Sequence, residues 1–323
     1  MNIVITGATG QDGIFLIDKL LRETEGKIFA CTRRKKNFDF NKLKYLDNKE
    51  EYSRVKIVEL DFLNYQEVFN FLNDVNPNML FNLMGPSSVK SFIDKPKEME
   101  LIALSSFENI INSFINSKNF CNIFQSSSSE MYGYDSKKPF DENSKFEPIS
   151  AYAKSKHNLH LKCEDLIKTY DWPIVSGIMF NHESEFRNSN FLIMNLIEKA
   201  IEIKNGVNQI VTLPSFQISR DWSYARDIAE AMFELAFNNL SGSYVIGSGN
   251  STSLEEISNY IFNKIGLDYN NYVIINSNEL RHGEPINTLS NPSKIKQDTG
   301  WEASKDIYYV IDKMYDYKTH FKR

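Results

Sequence analysis

Short apolar, often β-branched runs recur through the first half of the chain, at 2–6, 27–32, 55–60, 79–83, 122–125 and 173–180. Bounded by turn residues, they read as buried parallel strands. Between them, apolar positions take up helical spacing, at 14–21, about 97–117 and 151–170. Strand and helix in regular alternation predict an α/β fold, a doubly wound parallel sheet. From about 171 the alternation loosens: an amphipathic helix is predicted over 190–204 and further helices over 225–237, 254–265 and 305–317, with 243–246 short and buried in type.

A chain of 323 residues can bury a large core, and 41% hydrophobic with 24% charged residues is the composition of a soluble globular protein. Net charge is −5 with no basic stripe, which argues against nucleic-acid binding. Three widely spaced cysteines suit a reducing compartment and offer neither a disulfide framework nor a metal-ligand set. No apolar run approaches the roughly 20 residues of a membrane span. The opening MNIVITG runs straight into a strand, so a cytoplasmic location is expected.

The first strand breaks at Gly7-Ala-Thr-Gly10-Gln11-Asp12-Gly13 and a helix follows. Strand, glycine-rich turn and helix in this order form a dinucleotide-binding fingerprint. Gly7 permits the tight turn, Gly10 lets backbone approach a pyrophosphate, and Gly13 lets helix pack on strand. The pyrophosphate would sit on the helix N-terminus, where unbonded N–H groups favour anions. The second strand ends at Arg33-Arg34, where an acidic residue would hold a ribose 2′-hydroxyl; forked guanidinium donors match a 2′-phosphate, so NADP is expected. Asp61-Phe62 ends the third strand and could meet the adenine edge, although Asp61 could also cap the next helix. Leu83 and Gly85 open a small-residue loop at the fourth strand's carboxyl end, where such sheets bind ligands.

Residues 125–156, QSSSSEMYGYDSKKPFDENSKFEPISAYAKSK, hold Ser128, Glu130, Tyr152 and Lys156. A hydroxyl, a carboxylate, a phenol and an ammonium are the parts needed to oxidise an alcohol and remove a proton beside the new ketone. Tyr152 and Lys156, four residues apart, share one helical face. A cation there is expected to lower the tyrosine from about 10 and make it a general base. An exposed lysine over a half-buried ring would leave the same YxxxK, the serines could form a plain polar turn, and Glu130 could be a surface acid. Position favours the chemistry: 126–130 falls at the fifth strand's carboxyl end and Tyr152–Lys156 opens the next helix.

These residues resemble the extended short-chain dehydrogenase/reductase family, and within it the GDP-mannose 4,6-dehydratase group. The motifs are TGATGQDG, TRR, FNLMGPSSV, QSSSSEMYG, YAKSK, FNHES, NF, RDWSYARD and RHGEP…NPSKI. The resemblance implies a Rossmann-type sheet with a smaller C-terminal substrate lobe. Residues 1–180 would form the NADP domain, with 215–240 returning to it, and 181–323 mainly the interleaved substrate lobe. It also implies that Tyr152 deprotonates the sugar O4 while hydride leaves C4, with Lys156 steadying the phenolate. Ser128, in the place of a usual threonine, shares the O4 hydrogen bond. Glu130 removes the C5 proton so that the C6 hydroxyl leaves as water. His182 and Arg187 match cofactor contacts; Ser87, Asn181, Asn190, Arg220, Arg281 and Glu284 match substrate contacts. The loop at 35–43 would reach a neighbouring subunit, giving dimers or tetramers.

Residue by residue, rivals stand beside these roles: His182 as a satisfied core histidine, Arg220 as a partner of Asp221 or Asp227, Trp222 as packing. Two departures fall around the substrate: Glu185-Phe186 replace a proline-arginine pair, and Leu192-Ile-Met-Asn195 replaces a basic stretch. They lead the sequence reading to GDP-N-acetylglucosamine over GDP-mannose, as in legionaminic acid synthesis for bacterial surface glycans. A 4-epimerase or 4-dehydrogenase would not need Glu130, and a non-catalytic NADP-sensing protein would need none of the four reactive groups.

Overall fold

The computed structural model describes residues 1–46, 52–85, 92, 95–133, 139–280 and 284–321. Six predicted strands form where expected: β1 (Asn2–Thr6), β2 (Lys27–Thr32), β3 (Val55–Glu59), β4 (Met79–Asn82), β5 (Asn122–Ser128) and β6 (Ile174–Met179). They pair in parallel, in the order β6-β5-β4-β1-β2-β3. All carboxyl ends therefore point to one edge, and the order reverses beside β1, where ligands bind in sheets of this kind.

Three short strands, β7 (Asn181–Glu183), β8 (Val211–Leu213) and β9 (Ser219–Tyr224), precede β10 (Gly242–Ile246). β10 pairs with β6 and makes the sheet seven-stranded. The sequence places no strand there as a member of the sheet, because a five-residue run after a helix carries no sign of its partner. β9 also gathers β7, β11 (Ser251–Ser253) and β13 (Asn287–Thr288) into a second sheet, while β12 (Val273–Ile275) pairs with β8.

Local chemistry sets the helix ends. Ser150 caps helix Ala151–Tyr170 by accepting from the Ala153 N–H, and left-handed Asp171 ends it. Helix Tyr65–Val75 is capped by Asn64, not by Asp61, whose carboxylate instead accepts from the Leu63 N–H at 3.0 Å in a local turn. Helix Leu254–Lys264 begins with a reciprocal Ser253–Glu256 capping box. Among the described residues no helix is long and apolar enough to cross a membrane.

The two faces of the main sheet bury separate cores. On one, helices Gln11–Glu23 and Ala225–Phe237 pack together with Ile14, Leu20, Ile228 and Met232 fully buried. On the other, helices Tyr65–Val75, Pro96–Ser117 and Ala151–Tyr170 bury Val68, Phe107, Phe114 and Leu159. Glycine allows the first face to form: a Cβ on Gly13 would lie 2.6 Å from the Ala8 Cα.

Asp221, fully buried on β9, joins the two sheets. Its carboxylate accepts from the Ser248 N–H (2.8 Å) and hydroxyl (2.6 Å), the Gly249 N–H (3.0 Å), and the Ser290 N–H (3.1 Å) and hydroxyl (2.5 Å). Asp227 plays a similar part nearby, taking the Ser304 and Lys305 N–H groups. Asp221→Asn keeps the shape but turns an N–H₂ toward at least one backbone N–H, which can only donate. We expect a loss on the order of 3 kcal/mol, read as a lower midpoint in urea unfolding; an unchanged midpoint would remove Asp221 from this role.

Candidate active site

The carboxyl ends of β1, β4 and β5 converge on one cleft edge. After β1 the chain turns at Gly7 (φ +68°), where any Cβ would stand 2.7 Å from the Leu83 carbonyl oxygen. Gly10 is exposed and is the N-cap of helix Gln11–Glu23, with no side-chain cap on that end. The first-turn N–H groups are thus left by side chains for an anion, as a pyrophosphate requires.

Arg33 and Arg34 are exposed beyond β2. Asp61 is exposed at the end of β3, while the Phe62 side chain turns into the core, so only its backbone faces that edge. Leu83 is half-buried and Gly85 exposed after β4. Ser87 and Arg281 lie outside the described residues.

β5 runs three residues beyond its predicted end and carries Ser126, Ser127 and Ser128 to its carboxyl terminus. Glu130 follows in a single turn of 3₁₀-helix, its N–H donating to the Ser128 hydroxyl at 3.3 Å. Ser128 also hydrogen-bonds Tyr152, in the first turn of helix Ala151–Tyr170. The Phe92 ring meets Tyr152 edge-on at 5.4 Å. Lys156, one turn later, donates to the Ser126 carbonyl at 3.0 Å. The structure therefore brings Ser128, Glu130, Tyr152 and Lys156 together.

Their electrostatics differ from the sequence expectation. Burial pushes Tyr152 up to about 12, with the Ser128 hydrogen bond opposing and the negative Glu130 reinforcing it. Burial pulls Lys156 down to about 8, with Asp12 opposing. Desolvation favours the neutral form of both groups. The sequence argument counted the attraction of the lysine and omitted the cost of the site's dryness.

A second cluster lies across the cleft, on β7 and its following loop. The His182 Nδ1 faces the Phe180 carbonyl at 2.7 Å, an acceptor only, so this nitrogen carries hydrogen. The Nε2 faces Asp12 Oδ1 at 3.1 Å, again an acceptor, and the two pair as imidazolium and carboxylate by charge, although that oxygen has no hydrogen bond of good geometry. Burial opposes both charges, but each partner wins: Asp12 is lowered and His182 raised from their ordinary values. His182 is thus no neutral core histidine. Gln11 donates to the His182 carbonyl at 3.1 Å and accepts from the Ser184 hydroxyl at 2.7 Å. Arg187 pairs with Glu183 at 2.8 Å and lies 3.7 Å over the Phe191 ring. Glu183 and Ser184 were quoted in the FNHES motif without a role. Their signal was two polar residues in a stretch that leaves a strand for the cleft.

Asn181 is half-buried beside this cluster and Asn190 is exposed. Arg220 is buried, paired with Glu284 and not with Asp221 or Asp227, and it also donates to the Ser219 carbonyl at 2.9 Å. Trp222 is buried and donates to the Thr252 carbonyl, as packing requires. Segment 38–46 folds onto its own chain: Leu43 is fully buried and Tyr45 meets Phe186 and Tyr317 at 5.8 and 4.9 Å. Glu185 is buried with the Tyr224 hydroxyl on both its oxygens, and Phe186 packs on Phe15.

The family model described as GDP-mannose 4,6 dehydratase matches residues 4–314. The chain belongs to this family. It is 28% identical over 320 residues to GDP-mannose 4,6 dehydratase 2 of Arabidopsis thaliana, covering 97% of this chain and 85% of that one. It is 27% identical over 272 residues to the GDP-mannose 4,6-dehydratase of Sinorhizobium fredii, covering 82% and 76%. Among solved structures, the fold is similar to a dTDP-glucose 4,6-dehydratase from Streptomyces venezuelae (TM-score 0.85, 16% identity, 99% and 98% covered). It is likewise similar to a UDP-N-acetylglucosamine 4-epimerase from Methanobrevibacter ruminantium (TM-score 0.84, 20% identity, 98% and 97% covered).

The Asp12–His182 pair predicts a pH dependence for this family member. The raised His182 contributes stability that is fully present below about 6.5 and is lost as pH rises through its folded value. The lowered Asp12 contributes stability present above about 3.8 and lost as pH falls through its folded value. His182→Gln, which strands the carboxylate, should cost about 3 kcal/mol near pH 6. It should also abolish the alkaline loss in melting temperature; parallel curves for both proteins would refute the pair.

Proposed function

We propose that the protein is an NADP-dependent 4,6-dehydratase of a GDP-hexose, making a GDP-4-keto-6-deoxyhexose. The observation that carries this reading is the meeting of Glu130 with Ser128, Tyr152 and Lys156 at one strand end, in a chain of this family. An epimerase or 4-dehydrogenase has use for Tyr152 and Lys156 alone. A carboxylate beside them serves a proton removal next to a ketone.

In this mechanism Tyr152 accepts the proton of the sugar O4 as the phenolate, a form that burial disfavours and that the Lys156 ammonium and a bound cationic nicotinamide would favour, while Ser128 holds that oxygen. A bound nicotinamide would supply the hydride acceptor for C4 and the hydride donor for C6. A ketone at C4 makes the C5 hydrogen acidic; Glu130 removes it and passes that proton to the C6 hydroxyl, which departs as water, and C5 regains a proton, the one Tyr152 took from O4, as hydride is added at C6. Lys156 supplies the cation that offsets the negative charge on Tyr152. Because burial lowers it to about 8, this cation is lost in mildly alkaline solution.

Gly7, Gly10, Gln11, Asp12 and Gly13 would hold the cofactor's diphosphate end; Arg33 and Arg34 would take its 2′-phosphate, which is the basis for NADP. Asp61, Phe62, Leu83, Gly85, His182 and Arg187 would complete its site. Asn181, Asn190, Arg220 and Glu284 would bind the GDP-sugar, together with Ser87 and Arg281. In this reading 1–180 form the cofactor domain, joined by 215–240 and by β10, and the remainder forms the substrate lobe. Assembly into dimers or tetramers stays part of the proposal. The cis-folded segment 38–46 means that its reach to a neighbour is not needed to order it.

The hexose is a separate matter. Glu185, Phe186, Ile193 and Met194 are buried in the chain's own core, whereas Leu192 and Asn195 are half-buried, so only these two positions still support GDP-N-acetylglucosamine over GDP-mannose. The reading therefore rests at a GDP-hexose, and both candidates enter the test.

The purified protein, loaded with NADP and without added reductant, should remove 18 mass units from GDP-mannose or GDP-N-acetylglucosamine by mass spectrometry. Glu130→Gln should lower that rate by about 10²-fold or more, and the wild-type rate should fall as pH rises through about 8. NADPH accumulation without water loss would replace the dehydratase reading with a 4-dehydrogenase.

A further inference from the structure

Three polar side chains, running between the Met84 N–H and the Ser126 carbonyl, cross the buried carboxyl ends of β1, β4 and β5 in an unbroken line. The Met84 N–H donates to the Thr6 hydroxyl at 3.2 Å. The Thr6 hydroxyl donates to Asn82 Oδ1 at 2.6 Å, and Asn82 Nδ2 donates to Gln125 Oε1 at 2.6 Å. Gln125 Nε2 then donates to the Ser126 carbonyl at 2.9 Å, the same oxygen that receives Lys156 Nζ at 3.0 Å. Thr6 and Gln125 are fully buried, and Asn82 and Ser126 nearly so.

The line has only one direction. A backbone N–H can only donate, so at its head the Thr6 oxygen accepts and its hydrogen must go onward. Asn82 must then show its oxygen to Thr6 and its N–H₂ to Gln125, and Gln125 repeats the choice. At the far end a carbonyl can only accept. Neither amide can turn over without setting two acceptors or two donors face to face in a dry site, which is costly. A carbonyl oxygen has two lone pairs. Gln125 occupies one, so Lys156 has the other.

We infer that Thr6, Asn82 and Gln125 are positioning residues for Lys156, fixing the Ser126 carbonyl, the nearer of the two acceptors on Ser126 that orient its ammonium (3.0 Å, against 3.4 Å to the hydroxyl) in the catalytic cleft. This rests on the reading of Lys156 as the partner of Tyr152. The other charged or titratable groups around that pair are Asp12 from the glycine turn, Glu130 from the turn after β5 and Arg187 from the loop after β7. None of them touches the line. The line explains polar residues inside apolar strand runs, which the motifs include but the proposed chemistry does not use.

Thr6→Val keeps the side-chain shape and removes the hydroxyl that dictates the order. The Met84 N–H and Asn82 Oδ1 then lose their partner and the line loses its fixed head, so the Ser126 carbonyl is held less firmly and the Lys156 ammonium loses part of its hold. The probe is acetic anhydride on the cofactor-free protein, with Lys156 acylation followed against pH by peptide mass spectrometry. In Thr6→Val the acylation midpoint should move down by about one pH unit, speeding acylation at neutral pH several-fold. Thr6→Ser should restore it. A folded Thr6→Val whose midpoint stays within about 0.2 unit of the native protein's overturns the inference. Should Thr6→Val fail to fold, the native protein decides by NMR. The Gln125 side-chain amide resonance should titrate at the Lys156 midpoint, and a resonance silent to pH overturns the inference. These readouts need no turnover, so absence of dehydration would sink the functional reading without touching them.

Discussion

Asp221 accepts five hydrogen bonds from three residues that arrive from two separate loops, and it does so in a fully buried place. Ser248 and Gly249 follow β10 of the large sheet, whereas Ser290 follows β13 of the small one. A carboxylate in the dry interior is tolerated only when its oxygens are saturated. The arrangement therefore holds its parts to a narrow geometry: moving either loop leaves a buried charge short of partners. The backbone fits it closely, since a Cβ on Gly247 would stand 2.4 Å from the Ser290 hydroxyl. The relative placement of the two sheets, and hence of the cleft between them, depends on this junction.

The cleft itself sets two kinds of charge against each other. Tyr152 and Lys156 are driven by burial toward their neutral forms, whereas Asp12 and His182 keep their charges because they face one another. Reactive groups held near neutrality can exchange protons, and a locked ion pair cannot do so cheaply. The Asp12–His182 side is thus electrostatically stiff, and the Tyr152–Lys156 side is soft. A single dry site supports both because pairing offsets desolvation in one cluster and is absent from the other.

Much of this was legible in the sequence. Helix Ala151–Tyr170 and helix Ala225–Phe237 have the extents that their apolar spacing predicts, and the glycine turn sits between β1 and its helix as the fingerprint requires. Tyr152 and Lys156 could be found because their spacing is local. What could not be read was set by distance along the chain. β10 lies about 60 residues beyond its partner β6, and nothing in Gly242–Ile246 names that partner. Arg220 finds Glu284, not the aspartates beside it in sequence, because strand alternation turns Asp221 to the opposite side. The direction of the tyrosine's shift also needed the burial, which no motif records.

Helix Ala225–Phe237 packs against helix Gln11–Glu23, although some two hundred residues separate them. During synthesis the first helix therefore leaves the ribosome long before its cover exists. At rates of about 5–20 residues per second the apolar face of the first helix on that side waits on the order of ten seconds or more. The nascent chain must survive that interval with one side of its sheet wet, and every assembly route closes a long loop before the core is complete. The packing of helix Ala225–Phe237 on helix Gln11–Glu23 thus means that this core cannot be completed from the first 180 residues alone.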